Sequence, residues 1–317
     1  MKKLISIVIP AYNEAECVEE LHNRLVSVFE VEKNYRFEVV IIENGSIDST
    51  REKLKKIARK DVRFLIVCLS RNFRMDGGLT AGLEYINGDA CVLMTADLQD
   101  PPEMIPIFLR KWEEGFENIY GVVTKRTGTS LIRRVNSKIF YWIANRVTET
   151  KLPKNASDFR LVDRKVYETV KIMSERNRFV RGLFAWVGFK SIGIPMVRPP
   201  RFGGESNATT LKTIDLALKG IFANSYKPLK LISLLGLFFS VTSLIAVIPL
   251  SYFWLERGVP FAGFGTIIGL ILLTFGLLTL MIGIVSEYTA LIYEEVKKRP
   301  NFIVSEIIHS SRIKNIK

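Results

Sequence analysis

Oxygen-bearing side chains gather in three short stretches of this 317-residue chain, each directly after an apolar run. Thr95-Ala96-Asp97-Leu98-Gln99-Asp100-Pro101-Pro102 packs a hydroxyl, two carboxylates and an amide into a turn, the donor set that a hard cation bridging a diphosphate requires. Glu43-Asn44-Gly45-Ser46-Ile47-Asp48-Ser49-Thr50 sets short polar groups around a glycine turn. There Asn44, Ser46 and Asp48 could hold a base or a ribose, or simply cap the helix that follows. Pro10-Ala11-Tyr12-Asn13-Glu14 ends the first apolar run. Further on, Arg126, Arg133, Arg134, Arg160, Arg164, Arg176, Arg178, Arg181 and Arg201 are interspersed with Phe140, Tyr141, Trp142, Phe179, Phe184 and Trp186, an interfacial composition.

Such groups need a scaffold, and the chain supplies one by alternation. Residues 4–9, 37–42, 64–69, 90–95 and 119–124 read as strands. Between them lie a helix with Val18, Leu21, Leu25 and Val28 at helical spacing, one from Asp48 or Ser49 to about residue 60, one over 77–86, and one opened by Pro101-Pro102 that carries Ile105, Phe108, Leu109 and Trp112. This alternation predicts an α/β fold with a mostly parallel sheet covered by helices and a ligand crevice outside the carboxyl ends of its strands. All three polar stretches fall at those ends. Over 133–147, Val135, Ile139, Trp142 and Ile143 share one helical face, which suits a helix packed on the sheet or lying on a bilayer.

Residues 229–254 and 261–286 are each long and apolar enough to span a hydrocarbon core, which takes about 20 residues. Their link, Leu255-Glu256-Arg257-Gly258-Val259-Pro260, holds one basic residue, whereas Lys227, Lys230, Lys297, Lys298 and Arg299 flank the outer ends. The positive-inside rule then makes this an integral membrane protein with both termini and the sheet domain cytoplasmic. The expected division is 1–165 catalytic, 166–228 interfacial helices, 229–286 a transmembrane hairpin and 287–317 a cytoplasmic tail. A net charge of +13 suits an anionic partner. Because the basic-aromatic stretch leads into two spans, anionic lipid accounts for that charge better than nucleic acid. The N-terminal apolar run is too short for a signal peptide, and Cys17, Cys68 and Cys91 read as reduced core residues.

The order of these segments resembles family two of the glycosyltransferases, and within it the polyprenyl-phosphate sugar transferases similar to dolichol-phosphate-mannose synthase. The motifs that carry the resemblance run from Ser6 to Glu14, then Leu69-Ser70-Arg71-Asn72-Phe73, Asp97 to Glu103, Asp158-Phe159-Arg160-Leu161, Arg176 to Gly182, Ala185-Trp186-Val187-Gly188, Glu287-Tyr288 and Ile292 to Lys297. The resemblance implies a nucleotide-diphospho-sugar transferase fold of the GT-A type. It also implies a Rossmann-like character for that fold and inverting transfer of a hexose to a polyprenyl phosphate at the cytoplasmic membrane face, with UDP-glucose or a related UDP-hexose favoured as donor. Donor binding falls to Pro10, Tyr12, Glu14, Glu43, Asn44, Ser46 and Asp97, and a Mg2+ or Mn2+ ion to Asp97 and Gln99. Acceptor binding falls to Arg133, Arg134, Ser137 and Arg201, and catalysis to Asp158 and Arg126. The implied partners are the nucleotide sugar, the lipid phosphate and the membrane, with no nucleic acid; a second copy of the chain, a flippase and a downstream glycosyltransferase stand as candidates.

The chain departs from the pattern at definite places. Glu43 and Asn44 stand where the family usually has two aspartates, Thr95 where its metal turn opens with Asp, Arg74-Met75-Asp76 where Gly-Lys-Glu is usual, and Asn207 where Lys usually follows Ser206. Losing one carboxylate weakens cation binding, and the alternative function is a catalytically weakened relative serving as an assembly or scaffolding subunit. A dinucleotide oxidoreductase is excluded because no Gly-x-Gly-x-x-Gly follows the first strand.

Overall fold

The structure is a computed structural model that describes residues 2–126, 155–200, 202, scattered positions between 229 and 256, and 263–309. Four β/α units open the chain: β1 (Leu4–Ala11) and α1 (Val18–Val31), β2 (Arg36–Glu43) and α2 (Thr50–Lys60), β3 (Phe64–Leu69) and α3 (Arg74–Glu84), β4 (Ala90–Leu93) and α4 (Ile105–Glu113). Then come β5 (Asn118–Arg126), β6 (Ala156–Asp163), α5 (Arg164–Ile172), α6 (Val180–Trp186), β7 (Ser191–Arg198), a long helix α7 (Phe264–Lys297) and β8 (Val304–Ile308). The strands form one sheet in the order β7-β5-β6-β4-β1-β2-β3-β8. Pairing is parallel for β1/β2, β1/β4, β2/β3 and β5/β7, and antiparallel for β3/β8, β4/β6 and β5/β6.

The apolar runs become strands because both sheet faces are covered. Ile5, Ile7 and Ile9 of β1 pack with Leu21 and Leu25 of α1, Leu54 of α2 and Phe108 of α4, whereas Val8 packs on the other face with Leu79 of α3, Tyr167 of α5 and Phe184 of α6. Helix α3 lies unusually close to β1. A Cβ on Gly82 would sit 2.2 Å from Val8 Cγ1, which explains a glycine in mid-helix despite its cost in propensity. The three cysteines are buried and none is in a disulfide.

Two strands come from outside residues 1–165: β7 from the stretch expected to be interfacial, and β8 from the expected tail. Among the described residues strand β7 pairs with β5 alone, and an edge position admits the Pro195 that a central strand would reject. The helix expected over 133–147 and the loop beyond Phe202 lie outside the described residues.

Among the described residues one helix, Leu273–Lys297, is long and apolar enough to cross a membrane. Leu273, Phe275, Leu280 and Ile282 are each more than 60% exposed among the described residues, an apolar surface of the kind that associates with a membrane. The first of the two expected spans is described only at scattered positions, and those described between 229 and 256 are helical.

Candidate active site

Strand order reverses beside β1, with β2 on one side and β4 on the other, so the crevice expected of such a sheet opens at their carboxyl ends. Because β6 runs against β4, its first residues reach the same edge, as do the last residues of β5 and β7, where Arg126 pairs in register with Arg198. The three polar stretches therefore meet Asp158 along one rim.

On the β1/β2 side the loops are stitched together. Asn13, at φ 55°, donates its N–H to Ser46 Oγ at 3.1 Å, and its own Oδ1 accepts from Ile47 N at 2.9 Å. Asp48 accepts from Thr50 N at 3.0 Å and Ala15 N at 3.3 Å; burial would raise its carboxyl, but the Thr50 side chain together with these two bonds holds it below the ordinary carboxylate range. Glu43, 1% exposed, accepts from Ser46 N at 2.5 Å. Asn44, 3% exposed, accepts from Phe73 N and donates to Arg74 O, each at 2.9 Å, so it straps down the loop after β3. Gly45, at φ +72°, lets that loop pass, since a Cβ there would lie 2.6 Å from the Arg71 carbonyl carbon. Asn44, Ser46 and Asp48 thus bond within the protein, and Asp48 bridges both loops. Pro10 lies at the end of β1, Tyr12 is half-buried beside it, and Glu14 is 9% exposed.

The turn after β4 is built around two carboxylates. Thr95 Oγ1 lies 2.7 Å from Asp97 Oδ1 and 2.8 Å from Asp100 Oδ2, yet a hydroxyl carries one hydrogen. It therefore donates to one of the two carboxylates at a time, and burial pushes the fully buried Asp100 carboxyl up despite the nearby Arg198 guanidinium at 3.6 Å. Gln99 N donates to Asp97 Oδ1 at 3.2 Å, and Leu98, at φ 59°, makes the bend. Asp100 thus faces the protein and Asp97 the crevice. Among the described residues no group of three His, Cys, Asp or Glu side chains could hold a metal unaided. One outward carboxylate fits a Mg2+-like ion nonetheless, because such ions are usually held by one or two carboxylates together with substrate phosphates.

On the β6 side Asp158 is gripped by a two-pronged bond from Arg181, Nε to Oδ1 at 2.8 Å and Nη2 to Oδ2 at 2.5 Å. Burial would raise this carboxyl, but Arg181, Arg160 and Arg198 hold it below the ordinary range. Arg160, 4% exposed, donates to the carbonyls of Ser157 and Asp158 and stacks on Phe184, its centre 5.1 Å from the ring; burial brings its guanidinium down to about 10. Asp76 of α3 faces the same pair. Its Oδ1 accepts from Val180 N at 2.9 Å, and burial, with Asp158 adding to it, pushes its carboxyl up to about 6.

The structure thus brings together Pro10, Tyr12, Glu14, Glu43, Asn44, Ser46, Asp97, Gln99 and Asp158, and the backbone of Arg126. Arg133, Arg134, Ser137 and Arg201 lie outside the described residues. Arg181, Asp76, Arg198 and Asp100 have no individual role in the sequence reading, although Arg181 lies inside the Arg176–Gly182 motif, Asp100 inside the turn after β4, and Asp76 in the segment that departs from the family pattern.

The profile of Glycosyl transferase family 2 matches residues 6–171. An uncharacterised glycosyltransferase of Synechocystis is 39% identical over 96% of this chain and 95% of its own length. The chain belongs to glycosyl transferase family 2. A prophage-derived bactoprenol glucosyl transferase of Shigella flexneri is 33% identical over 95% of this chain and 97% of its own. Among solved structures, the glucosyl-3-phosphoglycerate synthase of Mycobacterium tuberculosis, in complex with Mn2+, UDP-glucose and phosphoglyceric acid, is similar at 18% identity and a TM-score of 0.46, covering 69% of this chain and 78% of that one.

Proposed function

We propose that this family member transfers a hexose, glucose foremost, from a UDP-sugar to a polyprenyl phosphate at the cytoplasmic face of a membrane, with inversion at the anomeric carbon. The observation that carries the reading is a donor-type turn at Asp97 and an arginine-held Asp158 on one rim of a sheet joined to an apolar helix. Supporting it, the Shigella relative is a bactoprenol glucosyl transferase, and bactoprenol is itself a polyprenol.

A lipid phosphate is already anionic, so its oxygen can attack directly without a base. That suits Asp158, a poor base with both oxygens on Arg181, whose part is to orient the guanidinium toward phosphate. Arg126 ends β5 on the same rim, and Arg133, Arg134, Ser137 and Arg201 complete the acceptor side in this reading. A divalent cation held by Asp97 and Gln99 would supply positive charge to the departing diphosphate.

Topology supports two crossings. Strand β8 follows α7 yet pairs with β3, so the chain between β7 and β8 must cross any membrane an even number of times. If α7 crosses once, residues 229–254 supply the return. Purified full-length chain given UDP-glucose, UDP-galactose, GDP-mannose and polyprenyl phosphate should make a β-linked lipid phosphosugar from the α-linked UDP donors, read by NMR of the anomeric proton. An α-linked product, or exclusive use of GDP-mannose, would overturn the stereochemistry or the nucleotide.

A further inference from the structure

Helix α7 does not end at the apolar boundary. Its uncharged part, residues 264–286, is roughly 35 Å long at about 1.5 Å per residue, enough for a core of about 30 Å. Residues 287–297 continue it as a stalk, which carries Glu295 roughly 13 Å beyond Ser286. A carboxylate in the last turn of a helix opposes the helix dipole, so Glu295 stands where local preference disfavours it. Its partner lies in the sheet domain: Glu295 Oε1 accepts from Arg176 N at 2.6 Å and from Asn177 N at 3.4 Å.

Two further bonds fasten the same place. Asn301 Nδ2 donates to Glu175 O at 3.2 Å, and Ser70 N donates to Ile303 O at 2.9 Å as β8 begins its pairing with β3. On its other side the segment is anchored by Arg178, which donates to the carbonyls of Met173 and Val170, and by Asp76, which accepts from Val180 N. Arg181 follows, one residue into α6, with its fork on Asp158.

We propose that Glu295 is a positioning residue: by clamping Arg176 and Asn177 to the end of the membrane stalk, it fixes Arg181 on Asp158 and sets the acceptor side of the site at a defined height above the membrane. The height argument rests on the lipid-phosphate reading above; the clamp does not. Headgroups occupy about 5–7 Å outside the hydrocarbon core, so a stalk of this length holds the clamped segment just beyond them.

The test uses the full-length chain in vesicles of phosphatidylethanolamine and phosphatidylglycerol, comparing Glu295→Gln with Glu294→Gln on the same stalk. Amide hydrogen exchange should quicken at least tenfold in Glu295→Gln at Arg176 and Asn177 and also at Val180 to Gly182, with Glu294→Gln like wild type. Under saturating UDP-glucose, kcat/KM for polyprenyl phosphate should fall about fivefold or more, with KM for UDP-glucose unchanged and partial rescue in Glu295→Asp. Unchanged exchange at Arg176 and Asn177 would remove the clamp, and faster exchange confined to those two residues would remove the coupling. Wild-type kinetics toward the lipid in a variant with faster exchange throughout would show that the coupling does not serve the acceptor. If wild-type chain glucosylates no polyprenyl phosphate, the acceptor reading falls, while the exchange comparison still decides the clamp.

Discussion

Replacing Asp76 by Asn should stabilise the protein, although Asp76 sits beside the candidate catalytic pair. Burial and the neighbouring Asp158 move its carboxyl from the ordinary 3.8 up to about 6. A carboxylate raised on folding holds its proton more tightly in the native state, so stability falls as pH rises from about 4 to 6 and stays reduced above that window. Moving from 3.8 to about 6 corresponds to ~3 kcal/mol at neutral pH, and partial solvation brings the expected gain for Asp76→Asn to about 1–3 kcal/mol. Asn keeps an acceptor for Val180 N, so the tie between α3 and α6 survives. In thermal melts of the detergent-solubilised chain the variant should match wild type near pH 4 and melt a few degrees higher at pH 7.5, the gap opening between those values. A gap that does not change with pH, or a variant less stable at pH 7.5, would refute the reasoning. A carboxylate kept at such a cost beside Arg181 fits a site where stability is traded for function.

Asp158→Asn should slow transfer at least ~10-fold, or about 1.4 kcal/mol, without moving the acid limb of the pH–rate profile, because the Asp158 carboxyl is held below the ordinary range; kinetics from pH 5 to 8 check this. Arg181→Ala leaves Asp158 without its fork and should cost about 1–2 kcal/mol of stability, discounted because the two side chains are 28% and 30% exposed, as measured by melting. Thr95→Asp places a third carboxylate beside Asp97 and Asp100, so its melting temperature should fall without divalent cation and recover with Mg2+ or Mn2+ by more than wild type gains.

The first four strands were legible because burial on both faces makes them unbroken apolar runs, and the polar stretches stand out directly after them. Strands β6, β7 and β8 carry other marks. Arg160 breaks the apolar run of β6, Gly193 and Pro195 interrupt β7, and Ser305-Glu306 make β8 look like a tail, yet pairing with an existing strand suffices for each. At the site, motifs single out Asp97 and Asp158 as candidates, but Arg181 lies 23 residues from Asp158 and meets it only through α6. Nor does sequence separate a ligand-facing Asn44 or Asp48 from one bonded to its own backbone; here both are bonded to neighbouring main chain.

The central claim is that the acceptor is a lipid phosphate. The most direct measurement is transfer of radiolabelled hexose from UDP-sugar into butanol-extractable lipid by the purified chain in vesicles, with polyprenyl phosphate present or omitted. The account predicts label in lipid only when polyprenyl phosphate is present, and at least ~10-fold less with Asp97→Ala. Label released solely as free sugar, or incorporated equally without polyprenyl phosphate, would contradict it.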